Sequence, residues 1–300
     1  MKAQPLRKAV DVMELPLIVG VDGSESSLRA TDWAADEAAR HGHSLRLVYA
    51  SMWQYYDGMS RAFSTDRPPG QVFAENIVGA AAQRVASRAP DVKVITDVVP
   101  KDTVVALLSE SRNASAVVTG ARGRGELAGL LLGSVSLSVA ARAQSPVVVV
   151  RGDEPGIEGA HGRILLGVGD ADADSPAVRF AFQEASVRDC TLDVVRTWRT
   201  PAFEGHGGAG EPARTHEEQA SALLEESIGA ASRDHPGVRL RRAVIEGPPS
   251  EVLVARSAAA DLLVVGARRR QSQFGMQIGR VAHRLLHHSL CPVAVVPQPL

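Results

Sequence analysis

Cysteine is almost absent from this 300-residue chain, with only Cys190 and Cys291 present, far apart. Two such residues build no disulfide framework and suit a reducing compartment. Net charge is nearly absent too. The formal balance of −1 offers no long-range field to draw nucleic acid or an anionic membrane. No apolar run approaches the ~20 residues that span a bilayer, and Met1 to Leu15 mixes charged with apolar groups too closely for a signal segment. These absences describe a cytoplasmic protein that engages neither nucleic acid nor membrane. A P-loop is missing as well, because no Gly-x4-Gly-Lys-Ser/Thr occurs. Ser134 and Ser136 have no histidine within their loop to act as a base. No catalytic residue is assigned, and no enzyme is expected.

What is present is a globular composition, 45% hydrophobic and 22% charged, long enough for two domains. Leu17 to Val21 is an apolar strand ending at Asp22, with Gly23 and Ser24 supplying a turn and a helix cap. A helix runs to Gly42. Strands follow at Leu45 to Ala50, Val92 to Val99, Ala116 to Gly120 and Pro146 to Val150. Helices are expected over Gln71 to Ala89, Asp102 to Arg112 and Gly133 to Ala143, with an irregular stretch from Ser51 to Gly70.

The order then repeats. Ile164-Leu165-Leu166-Gly167-Val168 matches the run from Ile18, Leu262 to Arg268 matches Ala116 to Arg122, and Gly279 matches Gly133. Cys291 to Val296 matches Ser145 to Val150, at an offset that stays at about 146 residues. That is a duplicated domain, since solenoid repeats are far shorter. Gly152 to Gly162 holds four glycines and Pro155 and reads as a linker. The halves are therefore 1–151 and 163–300, joined by 152–162. Continuous apolar strands alternating with amphipathic helices imply an α/β fold: two tandem doubly wound, Rossmann-like or flavodoxin-like domains, each with a five-stranded parallel sheet. Ligands of such sheets sit beyond the strand C-termini, where strand order reverses. Asp22 and Gly120 would meet there.

The chemistry concentrates in Val117-Val118-Thr119-Gly120-Ala121-Arg122-Gly123, followed after nine residues by Gly133-Ser134-Val135-Ser136. Glycine lets a ligand touch the backbone, and a helix start offers unpaired N–H groups to an anion. Arg122 and Arg124 add charge. This pattern resembles the universal stress protein family, whose nucleotide motif is Gly, two residues, Gly, nine residues, Gly, then Ser or Thr. Gly120, Gly123, Gly133 and Ser134 fit it, and Val19-Gly20-Val21-Asp22-Gly23-Ser24 resembles the family's first strand end. The chain looks like a tandem member.

The resemblance implies ATP, with or without Mg, bound without a fast reaction. Asp22 would then hold the ribose or the adenine edge. Gly20 and Val21 would line the base, with Ala50 against adenine. Gly120, Gly123 and Gly133 would close on the phosphates, with Ser134, Val135 and Ser136 giving amides and hydroxyls and Arg122 an extra contact. The second half departs from the motif, with Gly169 at the Asp22 position, Arg269 for Gly123 and Arg280 for Ser134. Arginine there is expected to block ATP, with Asp170, Asp172 and Asp174 paired to Arg268, Arg269, Arg270 and Arg280. In the family, strands such as Pro146 to Val150 and Pro292 to Val296 join domains, so pseudo-symmetric pairing and a homodimer are expected, with an unknown protein partner. Two other readings stay open: a slow ATP hydrolase or adenylyl-transfer enzyme, recognised by steady ADP or AMP production, and a scaffold without nucleotide.

Other features have plainer readings. Gly123-x-Gly125-x3-Gly129 has one residue too many for a dinucleotide fingerprint. His283 and His287 could share a metal, but nothing supplies a third ligand, and a helix C-terminus suits them anyway. Cys190 and Cys291 read as buried thiols. Trp53, Tyr55, Tyr56 and Phe63 either stack on adenine as a lid or pack over the pocket. Glu204 to Pro212 is glycine-rich and reads as mobile.

Overall fold

The computed structural model describes residues 15–52, 69–123, 132–169, 175–199, 213–268, 270–272 and 275–298. The first half runs β1 (Leu17–Gly20), α1 (Glu25–His41), β2 (Leu45–Ala50), α2 (Pro69–Arg88), β3 (Val94–Val99), α3 (Thr103–Glu110), a 3-10 turn (Ser111–Asn113), β4 (Ala116–Gly120), α4 (Ser134–Arg142) and β5 (Val147–Val150). A short α5 (Glu154–Glu158) follows. The second half runs β6 (Arg163–Val168), α6 (Pro176–Val187), β7 (Thr191–Trp198), α7 (Ala213–Asp234), β8 (Arg239–Glu246), α8 (Pro249–Ser257), β9 (Leu262–Arg268), the hairpin β10 (Arg270–Ser272) and β11 (Gly275–Gln277), α9 (Arg280–His288) and β12 (Val293–Gln298).

The strands form one ten-stranded sheet in the order β3-β2-β1-β4-β5-β12-β9-β6-β7-β8. Each half is doubly wound and parallel, as expected. The two five-stranded sheets join through their last strands, as the expected pairing of the halves implied: β5 and β12 pair antiparallel with Val147, Val148 and Val149 opposite Val295, Ala294 and Val293. Both strands are apolar on both faces, so an edge left open would expose hydrophobic residues and unpaired amides. Pairing the two edges removes both faults. Alternate residues serve opposite faces: Leu17 and Val19 join a core under α1, α2, α6 and α7, while Ile18 and Val117 join one under α3, α4, α8 and α9. Each core runs across both halves.

Local chemistry sets the helix ends. The Ser24 hydroxyl caps α1 by accepting from Ser27 N–H at 3.2 Å, and Gly42 stops the helix in the left-handed region at φ 72°. The linker is ordered rather than slack. Asp153 caps α5, Gly159 ends it at φ 78°, and the Asp261 carboxylate accepts from His161 and Arg163 N–H at 2.8 and 2.9 Å. Gly152 has φ 101°, and a Cβ there would collide with the Leu290 carbonyl. Among the described residues, no helix is long and apolar enough to cross a membrane.

Candidate functional site

Asp22 lies just beyond β1 and Gly120 ends β4, and these strands are neighbours in the sheet. The strand ends meet as the repeat of apolar runs implied. Asp22 Oδ1 accepts from Ser24 N–H at 2.9 Å, which orients the carboxylate over the cleft. Its other oxygen, Oδ2, lies 2.7 Å from where a Cβ on Gly123 would stand. A side chain at Gly123 would therefore push the Asp22 carboxylate aside. Gly120 is required more strictly, since its Cβ would lie 2.5 Å from both the carbonyl and the hydroxyl oxygen of Ser26.

The glycine loop is tied down from both sides. Arg122 N–H donates to Ser26 Oγ at 3.1 Å, and Gly133 N–H donates to the Ala121 carbonyl at 2.7 Å. Gly133 forms the N-cap of α4 and offers no side chain to its first amides. By contrast, α1, α3, α5 and α6 start with side-chain caps from Ser24, Asp102, Asp153 and Ser175. The amides at Ser134 and Val135 are thus left to an outside acceptor. Ser134 is exposed and Val135 half-buried, while Ser136 is buried and donates its hydroxyl hydrogen to the Gly120 carbonyl at 2.7 Å. The Ser136 hydroxyl thus fixes the loop instead of pointing outward as a donor.

Gly20 sits in β1 against Leu107, and Val21 is buried. Ala50 ends β2, and its carbonyl accepts from the Thr103 hydroxyl at 2.9 Å. Gly20, Val21, Asp22, Ala50, Gly120, Arg122, Gly123, Gly133, Ser134, Val135 and Ser136 all lie at or next to the C-terminal ends of β1, β2 and β4 or at the start of α4. Sequence reasoning missed Ser26, which touches both Gly120 and Arg122; its signal was the run of four polar residues, Ser24 to Ser27, after Gly23. Arg124, the aromatic cluster from Trp53 to Phe63, Asp170, Asp172, Asp174, Arg269 and the Glu204 to Pro212 stretch lie outside the described residues.

The matching cleft of the second half is open. It holds a cavity of about 530 Å³ lined by Val168, Gly169, Arg196, Gly266, Gly279 and Arg280, among others. Gly169 and Gly279 each have space for a Cβ. Arg196 is buried and donates to the Gly169 carbonyl at 2.7 Å. The expectation that arginines block this cleft rests on Arg269 and on Asp170, Asp172 and Asp174, which lie outside the described residues; Arg280, which is described, lines the cavity.

A charged cluster joins the halves where α1 faces α6. Glu37 and His41 meet Glu184 and Arg188, all with side chains less than a tenth exposed. His41 Nε2 lies 3.1 Å from Glu37 and 3.2 Å from Glu184, and Arg188 contacts both carboxylates. Glu37, His41 and Glu184 bring three possible ligand atoms within 4.8 Å of one another. Arg188 already supplies the balancing cation there. Cys190 and Cys291 are buried free thiols, as read from sequence, and burial pushes both upward in pKa.

A doubly wound α/β unit, duplicated, with a glycine loop and an uncapped helix at the switch point, defines the class. The family model described as the universal stress protein family matches residues 15–151 and 161–297, and the chain belongs to that family. It is 32% identical over 289 residues to universal stress protein Rv2005c of Mycobacterium tuberculosis, covering 94% of this chain and 97% of that protein. The crystal structure of a universal stress protein from Archaeoglobus fulgidus aligns with a TM-score of 0.69 at 19% identity, over 94% of this chain and 98% of that one. A shorter universal stress protein, crystallised in complex with cAMP, is 29% identical over 46% of this chain with a TM-score of 0.36.

Proposed function

We propose that the first-half cleft binds ATP, with or without Mg, and that occupancy changes the conformation or partner choice of a cytoplasmic stress-response protein. The observation that carries this reading is the convergence at Gly123. A carboxylate oxygen sits 2.7 Å from the Cβ position, beside a helix start whose amides have no side-chain cap. That arrangement suits a ligand with a sugar diol at one end and phosphate at the other. Asp22 takes the ribose, Gly20, Val21 and Ala50 the base, and Gly120, Arg122, Gly123, Gly133, Ser134, Val135 and Ser136 the phosphates.

Membership of the family supports the reading, as does the full motif from Gly120 to Ser134. No nucleophile with a base stands in this cleft among the described residues, which favours binding over turnover. The test is to denature freshly purified protein and identify released nucleotide, then titrate ATP into the wild type and Asp22→Ala. One ATP per chain, weakened at least roughly tenfold by Asp22→Ala, is expected, since a charge-assisted pair contributes about 1.5–3 kcal/mol. Equal binding by both proteins would contradict it.

The open second-half cavity favours a second reading, in which that half carries the ligand on Arg196 and Arg280. Gly279→Trp, which fills that cavity, should leave ATP affinity unchanged if the first half is the site. A homodimer belongs to the proposal as well. The apolar edges that prompted it are paired within the chain, so a dimer uses another surface. Light scattering on the full chain reads its mass directly.

A further inference from the structure

Beside the first-half loop, between the two halves, lies another cavity of about 530 Å³. Its walls include Ser26, Arg29, Arg122, Arg151, Asp153 and Leu290, so residues of both halves build it. It shares Arg122 and Gly123 with the candidate nucleotide cleft and none of the other residues assigned there. Three arginines from three segments line it: Arg29 from α1, Arg122 from the glycine loop and Arg151 from the end of β5. Among the described residues, none of the three is in an ion pair with a carboxylate. Two acids also line the cavity. Asp153 Oδ1 accepts from Gly156 N–H at 3.1 Å, and Glu25 sits in the first turn of α1.

Arg151 is the unusual member. Its Nη1 donates to the Leu285 carbonyl near the end of α9 at 3.1 Å, while its Nε–H is buried with no acceptor. Burial pushes this guanidinium down to about 10, and the charge of Arg122 adds to the effect. A half-buried arginine normally has a carboxylate or phosphate beside it. This one shares its cavity with another arginine, Arg122, whose charge it feels.

We propose that this inter-half cavity is an anion site, binding a phosphate group between Arg122 and Arg151 with Arg29 alongside. The phosphate has two possible sources. It is either the terminal phosphate of a nucleotide in the adjoining cleft, a case that rests on the ATP reading, or a free phosphate-class anion that needs no nucleotide. Either one compensates the two guanidiniums and offers an acceptor for charge-assisted hydrogen bonds.

The experiment titrates pyrophosphate, ATP and AMP into the full chain and into Arg151→Gln by calorimetry. Pyrophosphate binding weakened at least roughly tenfold by Arg151→Gln, with AMP unaffected, identifies a free-anion site. ATP weakened by a similar factor with AMP unaffected identifies the terminal phosphate as the source. Arg29→Gln, whose side chain holds no other described contact, should shift the same ligand in the same direction and serves if Arg151→Gln does not fold. The proposal is overturned if neither pyrophosphate nor ATP affinity responds to these variants. ATP bound equally well by all three proteins, with pyrophosphate binding unchanged as well, removes this site and keeps the nucleotide reading. Arginine-dependent pyrophosphate binding without any ATP binding does the reverse.

Discussion

At the residue scale, the cluster of Glu37, His41, Glu184 and Arg188 shows how position decides ionisation. Hydrogen bonds to Glu184 and Glu37 raise His41 to about 9, against the cost of burial. Burial, then the charge of Glu37, raises Glu184 to about 7. Glu37 moves the other way: burial opposes its charge, but Arg188 and bonds from His41 and Glu184 hold it below the usual carboxylate range. Arg40 also contacts Glu37, and the His43 ring stacks on His41 at 5.5 Å. The raised His41 stabilises the fold fully below its unfolded pKa near 6.5 and loses that contribution as pH climbs through 9. Raised Glu184 has the same sign, its contribution fading from 4.5 up through 7, while depressed Glu37 contributes fully above 4.5 and loses that contribution as pH falls below it. Urea unfolding should therefore show stability falling between pH 6.5 and 9, on the order of 2–3 kcal/mol for His41. His41→Asn should flatten that slope. A slope unchanged by the substitution would place the titration elsewhere. Gly120→Ala acts at the same scale. Its Cβ would meet Ser26 backbone at 2.5 Å, so roughly 2 kcal/mol or more of stability should be lost, with the Ser26 contact broken.

At the element scale, the strands and most helices were legible because their apolar periods and caps are local. Ser24, Gly42, Asp102 and Gly133 sit at helix ends where sequence put them. Ser24→Ala should cost about 1 kcal/mol, read as a lowered unfolding midpoint. The β10–β11 hairpin and the helical turn inside the linker were not legible. The first is two strands of only three residues each, too short to show a period, and the second is a five-residue helix among glycines fixed by Asp261, a residue one hundred positions from its partner His161. The fused sheet was legible in outline: the runs of valine showed two edges needing cover, the family resemblance implied that they join the halves, and β5 and β12 pair as that implied. Val148→Asp places an unpaired charge in that seam. A loss of at least roughly 3 kcal/mol and cooperative failure of both halves are expected, checked by denaturant titration with probes in each half.

At the scale of the whole molecule, duplication explains both what was read and what was missed. The repeated glycine motif made the candidate site legible, since Gly120, Gly123 and Gly133 are spaced by local backbone need. The contacts between the copies were hidden, because Glu37 meets Arg188 and Arg151 meets the Leu285 carbonyl only once the halves are joined. The copies have also diverged, with Arg269 at the Gly123 position and Arg280 at the Ser134 position. The arginine-rich second motif borders an open cavity, while the first-half glycines are held close under Ser26 and Asp22. The most direct measurement is a crystal structure of the chain grown with saturating ATP. The account predicts ribose on Asp22 and phosphates against the amides of Ser134 and Val135 at the start of α4. An empty first-half cleft, with nucleotide only between Arg196 and Arg280, would contradict it.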